Sequence, residues 1–313
     1  MKTAYIHVTN QCNCYCIYCY SNSGNKIKGE LYGKEIIELA SSLIDHDIGK
    51  IVFTGGEPFL RKDFVEILSE IKKLNFRYVP ICVNSNGSLI DEQMARNIVG
   101  IIDEIRISID GTKEINDIIR GIGTYHEAIS AFKALIKVGF EPIAAITISE
   151  KNYKSVPLLI EELSNNDVKR IKLSPLRSIG RAKANKEEAD TAKYFRYVRK
   201  AVENTSFNYS TVDLGSEITH CGVGNFLNIL ANGDVYPCHV LCSECFRLGN
   251  IRTDSIGNIM DDYRLTRLKG IDFRVLSEKN QAFKCLIQPL ACLGIEYEFL
   301  EDKDKRTLES FLI

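Results

Sequence analysis

The chain has 313 residues, 45% of them hydrophobic and 26% charged, which are the proportions of a soluble globular protein. Its 40 Lys and Arg against 41 Asp and Glu give a net charge near −1. The basic residues are spread along the chain, which excludes the electrostatic footprint of a nucleic-acid or anionic-membrane binder. No apolar run approaches the ~20 residues needed to span a bilayer. The opening MKTAYIHVTNQC goes directly into a strand pattern, so no signal peptide is expected and the expected location is the cytoplasm.

In chain order, strand patterns fall at Ala4–Val8, Lys50–Thr54, Tyr78–Asn84, Glu104–Ile109, Pro142–Ile148 and Arg170–Ser174. Helical periodicity lies between them. Ile36, Ile37, Ala40, Leu43 and Ile44 mark one face of the first helix, and Phe64 to Leu74 and Ala128 to Ile136 read the same way. Repeated βα units call for a parallel sheet covered by helices. Six units predict an open, partial (β/α)6 TIM-like barrel, short of the closed eight-unit form. After Gly180-Arg181-Ala182 the pattern changes to a polar stretch, a helix around Ala189–Val202, and short strands with cysteines. A hairpin is expected over Asn228–Tyr236, turning at Asn232-Gly233-Asp234. The predicted division is residues 1–185 for the barrel and 186–313 for a small cysteine-rich domain.

Eleven cysteines are many for a chain without a secretion signal, and metal or redox chemistry is the expected use. Four lie in residues 12–19 and six between 221 and 292; Cys82 alone reads as a small buried hydrophobe. Cys12, Cys16 and Cys19 offer three soft thiolates, suited to an iron–sulfur cluster or to zinc completed by His7 or Cys14. Three protein ligands on a four-iron cube leave one iron open. The cluster follows the first strand, Gly55-Gly56-Glu57-Pro58 the second, and Asp110-Gly111 the fourth. Chemistry in parallel α/β folds collects at those strand ends.

NQCNCYCIYCY at 10–20 together with TGGEP resembles the radical S-adenosylmethionine (radical SAM) superfamily. The resemblance implies a [4Fe-4S] cluster on Cys12, Cys16 and Cys19, which are then the catalytic residues, with Cys14 a spare thiol. It implies that Tyr18 lies near the adenine and that Gly55, Gly56, Glu57 and Pro58 hold the methionine amino group. Ser108 and Asp110 would contact the ribose, Asn86 would lie in a turn near the cofactor, and Arg181 would approach a cluster or the cofactor. NGDVYPCHVL and FRLGNI are similar to the SPASM/twitch extension, which holds auxiliary iron–sulfur clusters. That likeness implies one auxiliary [4Fe-4S] cluster on Cys221, Cys238, Cys285 and Cys292. Cys242 and Cys245 stand as further ligands or as free thiols. His239 follows a proposed ligand but is a routine residue of such PCH hairpins, and His7 reads as a packed strand residue.

Three functions follow as expectations. The first is a radical SAM enzyme that cleaves S-adenosylmethionine (SAM) to a 5′-deoxyadenosyl radical and modifies a ribosomally made peptide or protein by crosslinking, epimerisation or oxidation. The second is a twitch-type dehydrogenase or rearrangement enzyme acting on a small molecule. The third is a non-enzymatic zinc or iron–sulfur scaffold, which TGGEP and RISIDG after their strands argue against. A flavodoxin or ferredoxin-type reductant is the expected partner. The barrel begins at about residue 4, so a peptide leader would bind the barrel, the C-terminal domain or a separate protein.

Overall fold

Six parallel strands form where the chain carries short, β-branched apolar runs: β1 (Thr3–Thr9), β2 (Lys50–Gly55), β3 (Ile81–Ser85), β4 (Glu104–Ser108), β5 (Ile143–Ile148) and β6 (Arg170–Pro175). The computed structural model describes residues 2–177, 179–185, 191–203, 225–242 and 244–265. The helices between strands are α1 (Gly33–Asp45), α2 (Phe64–Leu74), α3 (Glu92–Ile98), α4 (Lys113–Arg120), α5 (Thr124–Lys137) and α6 (Val156–Asn165). They are followed by α7 (Arg181–Ala184), α8 (Thr191–Glu203) and, later, α9 (Ile256–Met260). The predicted strands are all present, and the C-terminal hairpin is β7 (Phe226–Ile229) and β8 (Asp234–Tyr236), with a short β9 (Gly249–Asn250) beyond.

One strand begins later than its apolar pattern suggests. Tyr78 is exposed and left-handed at φ 55°, and β3 starts only at Ile81. The Asn75 side chain closes this loop by donating to the Val79 carbonyl at 2.6 Å and accepting from the Val79 N–H at 2.9 Å. With its backbone groups so occupied, the segment cannot enter the ladder.

Among the described residues the sheet runs β6-β5-β4-β3-β2-β1-β7-β8-β9. Helices pack on its outer side, burying Ile36, Leu39, Ala40, Leu43 and Ile44 of α1 and Phe64, Ile67, Leu68 and Ile71 of α2. Phe53, Phe64 and Phe132 are fully buried in that layer. Side chains from all six parallel strands, including Tyr5, Thr54, Asn84, Ser108, Thr147 and Ser174, line one cavity on the opposite side. The sheet therefore curls into an open barrel, as the six βα units imply. β7 pairs parallel with β1, Thr3 opposite Phe226 and Ile6 opposite Ile229. The hairpin thus continues the barrel's own sheet and covers the edge β1 would otherwise leave open.

Candidate active site

The cysteine loop leaves β1 and is tied down at both ends by one buried carboxylate. Glu30 accepts from Thr9 Oγ1 at 2.9 Å, from the Asn10 N–H at 2.8 Å and from the Ile27 N–H at 3.2 Å. Within the loop, the Cys12 N–H donates to the Gly24 carbonyl and the Gly24 N–H to the Asn10 carbonyl. Cys12, Cys14, Cys16 and Cys19 all line the cavity, whose volume is about 330 Å³. The Cys14 N–H donates to the Cys12 sulfur at 3.4 Å, and hydrogen bonding from Cys14 lowers the Cys12 thiol below its ordinary range. Burial pushes Cys16 upward. Asn86 Nδ2 lies 3.2 Å from the Cys14 sulfur, so Cys14 is packed against the turn after β3. Among the described residues no three His, Cys, Asp or Glu side chains converge to hold a single metal ion.

The other predicted residues divide between the cavity and the wall behind it. Tyr18, Gly55, Gly56, Asn86 and Ser108 line the cavity, whereas Glu57, Pro58, Asp110 and Arg181 do not. Gly56 admits no side chain, because a Cβ there would sit 2.0 Å from the Gln11 carbonyl oxygen. Glu57 is fully buried and accepts from the Phe59 N–H (3.2 Å), Ser85 Oγ (2.9 Å) and the Asn86 N–H (2.7 Å). Its carboxylate therefore locks the glycine turn to the turn after β3, and burial raises its carboxyl to about 7. Asp110, also fully buried, accepts from Tyr18 Oη, from Arg120 Nε and from the Thr147 N–H. Arg181 donates to the carbonyls of Cys16 (2.7 Å) and Ser23 (2.8 Å), stacks over the Tyr15 ring, and so clamps the loop's backbone.

Arg120 is absent from the sequence-based selection. It ends α4, pairs with Asp110, lines the cavity and points Nη1 at the Cys16 sulfur, 3.8 Å away. Its signal is weak in sequence: an Arg one helical turn after the buried Asn116, which itself donates to Thr124 and accepts from the Asp110 N–H.

Of the second cysteine group, Cys221, Cys285 and Cys292 lie outside the described residues, and Cys245 falls in the single turn Glu244–Phe246. Cys238 is buried at the end of the hairpin, accepting from the N–H groups of Val240 and Leu241. The Cys242 thiol donates to the Cys238 carbonyl and receives Asn228 Nδ2. Asn228 also meets His7 Nε2 at 3.1 Å, which makes His7 a packed strand residue; burial drops it to about 4. His239 reaches the cavity, and its ring lies 5.7 Å from that of Tyr20, the residue after Cys19. The two cysteine groups thus border one cavity through adjoining aromatic neighbours. Cys82 is fully buried between strands, as expected of a small hydrophobe.

The family model of the radical SAM superfamily matches residues 6–163, from within β1 to within α6, and includes every cavity-lining cysteine. The chain belongs to this superfamily. The SPASM model, an iron-sulfur cluster-binding domain, matches residues 221–286. The sporulation killing factor maturation protein SkfB of Bacillus subtilis is 29% identical over 276 residues, covering 84% of this chain and 66% of SkfB. The Fe-coproporphyrin III synthase of Methanosarcina barkeri is 29% identical over 168 residues, 53% of this chain and 41% of that protein. Streptococcus suis SuiB bound to precursor peptide SuiA shares the fold with a TM-score of 0.71 at 15% identity, covering 86% of this chain and 66% of SuiB. The chain thus spans about two thirds of SkfB and SuiB and less than half of the synthase.

Membership brings a [4Fe-4S] cluster and SAM, and the SPASM part auxiliary iron–sulfur clusters. The site fits them. Soft thiols on a single loop face a cavity with side-chain-free backbone at Gly55 and Gly56 and polar Asn86 and Ser108 on the same wall. No helix among the described residues is long and apolar enough to cross a membrane.

Proposed function

We propose that this radical SAM enzyme modifies a ribosomally made peptide by crosslinking, epimerisation or oxidation. The observation that carries the catalytic part is one cavity that gathers the Cys12, Cys16 and Cys19 thiols, the Gly55-Gly56 backbone and Ser108, with His239 beside Cys238 on a further wall. Cys12, Cys16 and Cys19 are the proposed ligands of the catalytic cluster, and Cys238 belongs to the auxiliary set, with Cys221, Cys285, Cys292 and, as further candidates, Cys242 and Cys245. Held by these residues, the cluster and SAM would supply one-electron reductive cleavage and radical chemistry. The chain positions and shields that chemistry. Gly55 and Gly56 would let the methionine end approach the backbone, Ser108 and Asn86 would offer hydrogen bonds, and Tyr18 would wall the adenine end. Leu176 and Ile179 supply apolar lining that excludes water.

The peptide reading is supported by SkfB, named a maturation protein, and by SuiB, solved with its precursor peptide. The Fe-coproporphyrin III synthase favours the second reading, a small-molecule substrate. The proposed division near residue 185 leaves the barrel the radical chemistry and the rest the auxiliary cluster. A flavodoxin or ferredoxin-type protein is the proposed reductant, and the cytoplasm the proposed compartment.

Anaerobic reconstitution should give about eight irons per chain, four for each cluster. Replacing Cys12, Cys16 and Cys19 by Ala should remove about four irons and abolish 5′-deoxyadenosine production. Cys238→Ala should keep reductive cleavage and stop turnover of a precursor peptide encoded beside the gene, read by mass spectrometry and by proteolysis for epimers. Zinc in place of iron would sink the radical reading. Turnover of a small molecule and of no peptide would sink the peptide one.

A further inference from the structure

The cavity is also lined by polar groups outside the residues proposed to hold the cofactor. Glu104, Arg106 and Ser108 alternate onto the same face of β4, so Arg106 sits one pleat repeat, about 7 Å, below the cofactor-side Ser108. Asn84 of β3 pairs in register with Arg106, and Lys172 of β6 lines the same cavity with Arg177. Arg106 is only 8% exposed, yet its Nε has no hydrogen-bond partner, and neither has the buried Asn84 Oδ1. Buried polar atoms are normally paired, and leaving them bare costs their desolvation.

The charges are equally unbalanced. Glu104 is shared by Lys50 (3.4 Å), Arg106 and Arg170 (3.4 Å). Lys172 and Arg177 make no ion pair with any described residue. Of the buried carboxylates at the barrel mouth, Asp110 is committed to Arg120, and Glu57 to the Ser85 hydroxyl and the Phe59 and Asn86 N–H groups. Burial and the neighbouring Arg106 lower Lys172 to about 8. Crowded cations with one shared counter-ion, in a cavity open to substrate, are arranged for an incoming anion.

We propose that this part of the cavity binds a carboxylate on a side chain of the substrate peptide, between Arg106 and Lys172, with Asn84 Oδ1 accepting the adjacent peptide N–H. One free guanidinium N–H and one ammonium offer donors to the two oxygens of a carboxylate. The residue presented to the radical, or its immediate neighbour, is then acidic. The peptide part rests on the function proposed above.

The test is equilibrium binding to the reconstituted full chain with SAM, using N-acetyl-glutamate N-methylamide and its neutral isostere N-acetyl-glutamine N-methylamide. The acid should bind about tenfold more tightly than the amide, as one charge-assisted pair implies. Arg106→Gln and Lys172→Met should each bring that ratio close to one. Glu104→Gln, which removes the competing carboxylate, should tighten the acid severalfold; it and Lys172→Met decide the matter should Arg106→Gln fail to fold. A ratio near one in the wild-type protein, or a preference that survives both cation substitutions, overturns the proposal. Free glutarate separates the two layers of the inference. Tight, Arg106-dependent binding of glutarate with no binding of the blocked glutamate keeps the carboxylate pocket and overturns its peptide source.

Discussion

Arg181 binds Cys16 and Cys19 through their backbones, the first carbonyl by its guanidinium at 2.7 Å and the second by its own N–H at 3.0 Å. The residue lies 165 positions from Cys16 in sequence, so the shape of the cysteine loop depends on the segment that follows β6. Gly180 completes the clamp. Its φ is +56°, and a Cβ there would stand 2.3 Å from the Cys19 oxygen and 2.5 Å from the Tyr20 oxygen.

Gly180→Ala should therefore lift the clamp from the loop while leaving the barrel's core intact. The strained conformation and the clash together should cost roughly 1–3 kcal/mol. The expected result is native far-ultraviolet circular dichroism with iron retention well below wild type after reconstitution and desalting. Arg181→Lys keeps the charge but loses the fork that spans Cys16 and Ser23, and should show the same iron loss. Full iron in both variants would mean that Glu30 and the loop's own hydrogen bonds shape it without the clamp.

Asp110 and Arg120 form a second device, a buried ion pair in which Arg120 lines the cavity and Asp110 stands behind it. Asp110→Asn leaves the guanidinium buried, its side chain 11% exposed, with its counter-charge gone. Breaking such a pair from one side costs about 3–5 kcal/mol. Arg120→Met in the same chain removes the stranded cation, so the double variant should be more stable than Asp110→Asn alone. Urea midpoints of the apoprotein read both effects. A double variant less stable than either single one would show that the two residues act independently.

The fold was legible because six parallel strands, covered on one side by helices, leave short apolar runs that alternate with amphipathic ones. Tyr78–Asn84 over-ran because an Asn side chain, which a strand pattern ignores, closed the loop before it. At the site, Cys12, Cys16, Cys19, Gly55 and Gly56 were legible since the spacing that matters to them is local. Arg106, Lys172 and Asn84 were not, because an inward polar residue on a buried strand carries no signal until neighbouring strands bring it beside others. Glu57 and Asp110 are expected from sequence among the cofactor-binding residues, but their carboxylates hydrogen-bond the walls of the cavity and do not line it. Only the distances to the Ser85 hydroxyl and to the Asn86 and Thr147 N–H groups make that distinction.

Glu57 gives the last prediction, a pH dependence whose sign follows from burial. Desolvation raises its folded-state carboxyl to about 7 against an ordinary value of 4.5, outweighing the three donors that favour the charged form. A raised folded-state value means that the carboxyl's contribution is fully present below about 4.5 and is lost as pH rises through 7. Glu57→Gln cannot ionise, so its own stability carries no such component. The stability of wild type minus that of Glu57→Gln should then fall by roughly 3 kcal/mol between pH 4.5 and 7.5. His7, whose folded value is lowered to about 4, imposes the opposite trend on absolute stability, but equally in both proteins, and cancels from the difference. Urea unfolding of the two apoproteins at half-unit pH intervals measures it. A flat difference would show that the donors from Phe59, Ser85 and Asn86 balance the burial, and a rising one that they exceed it.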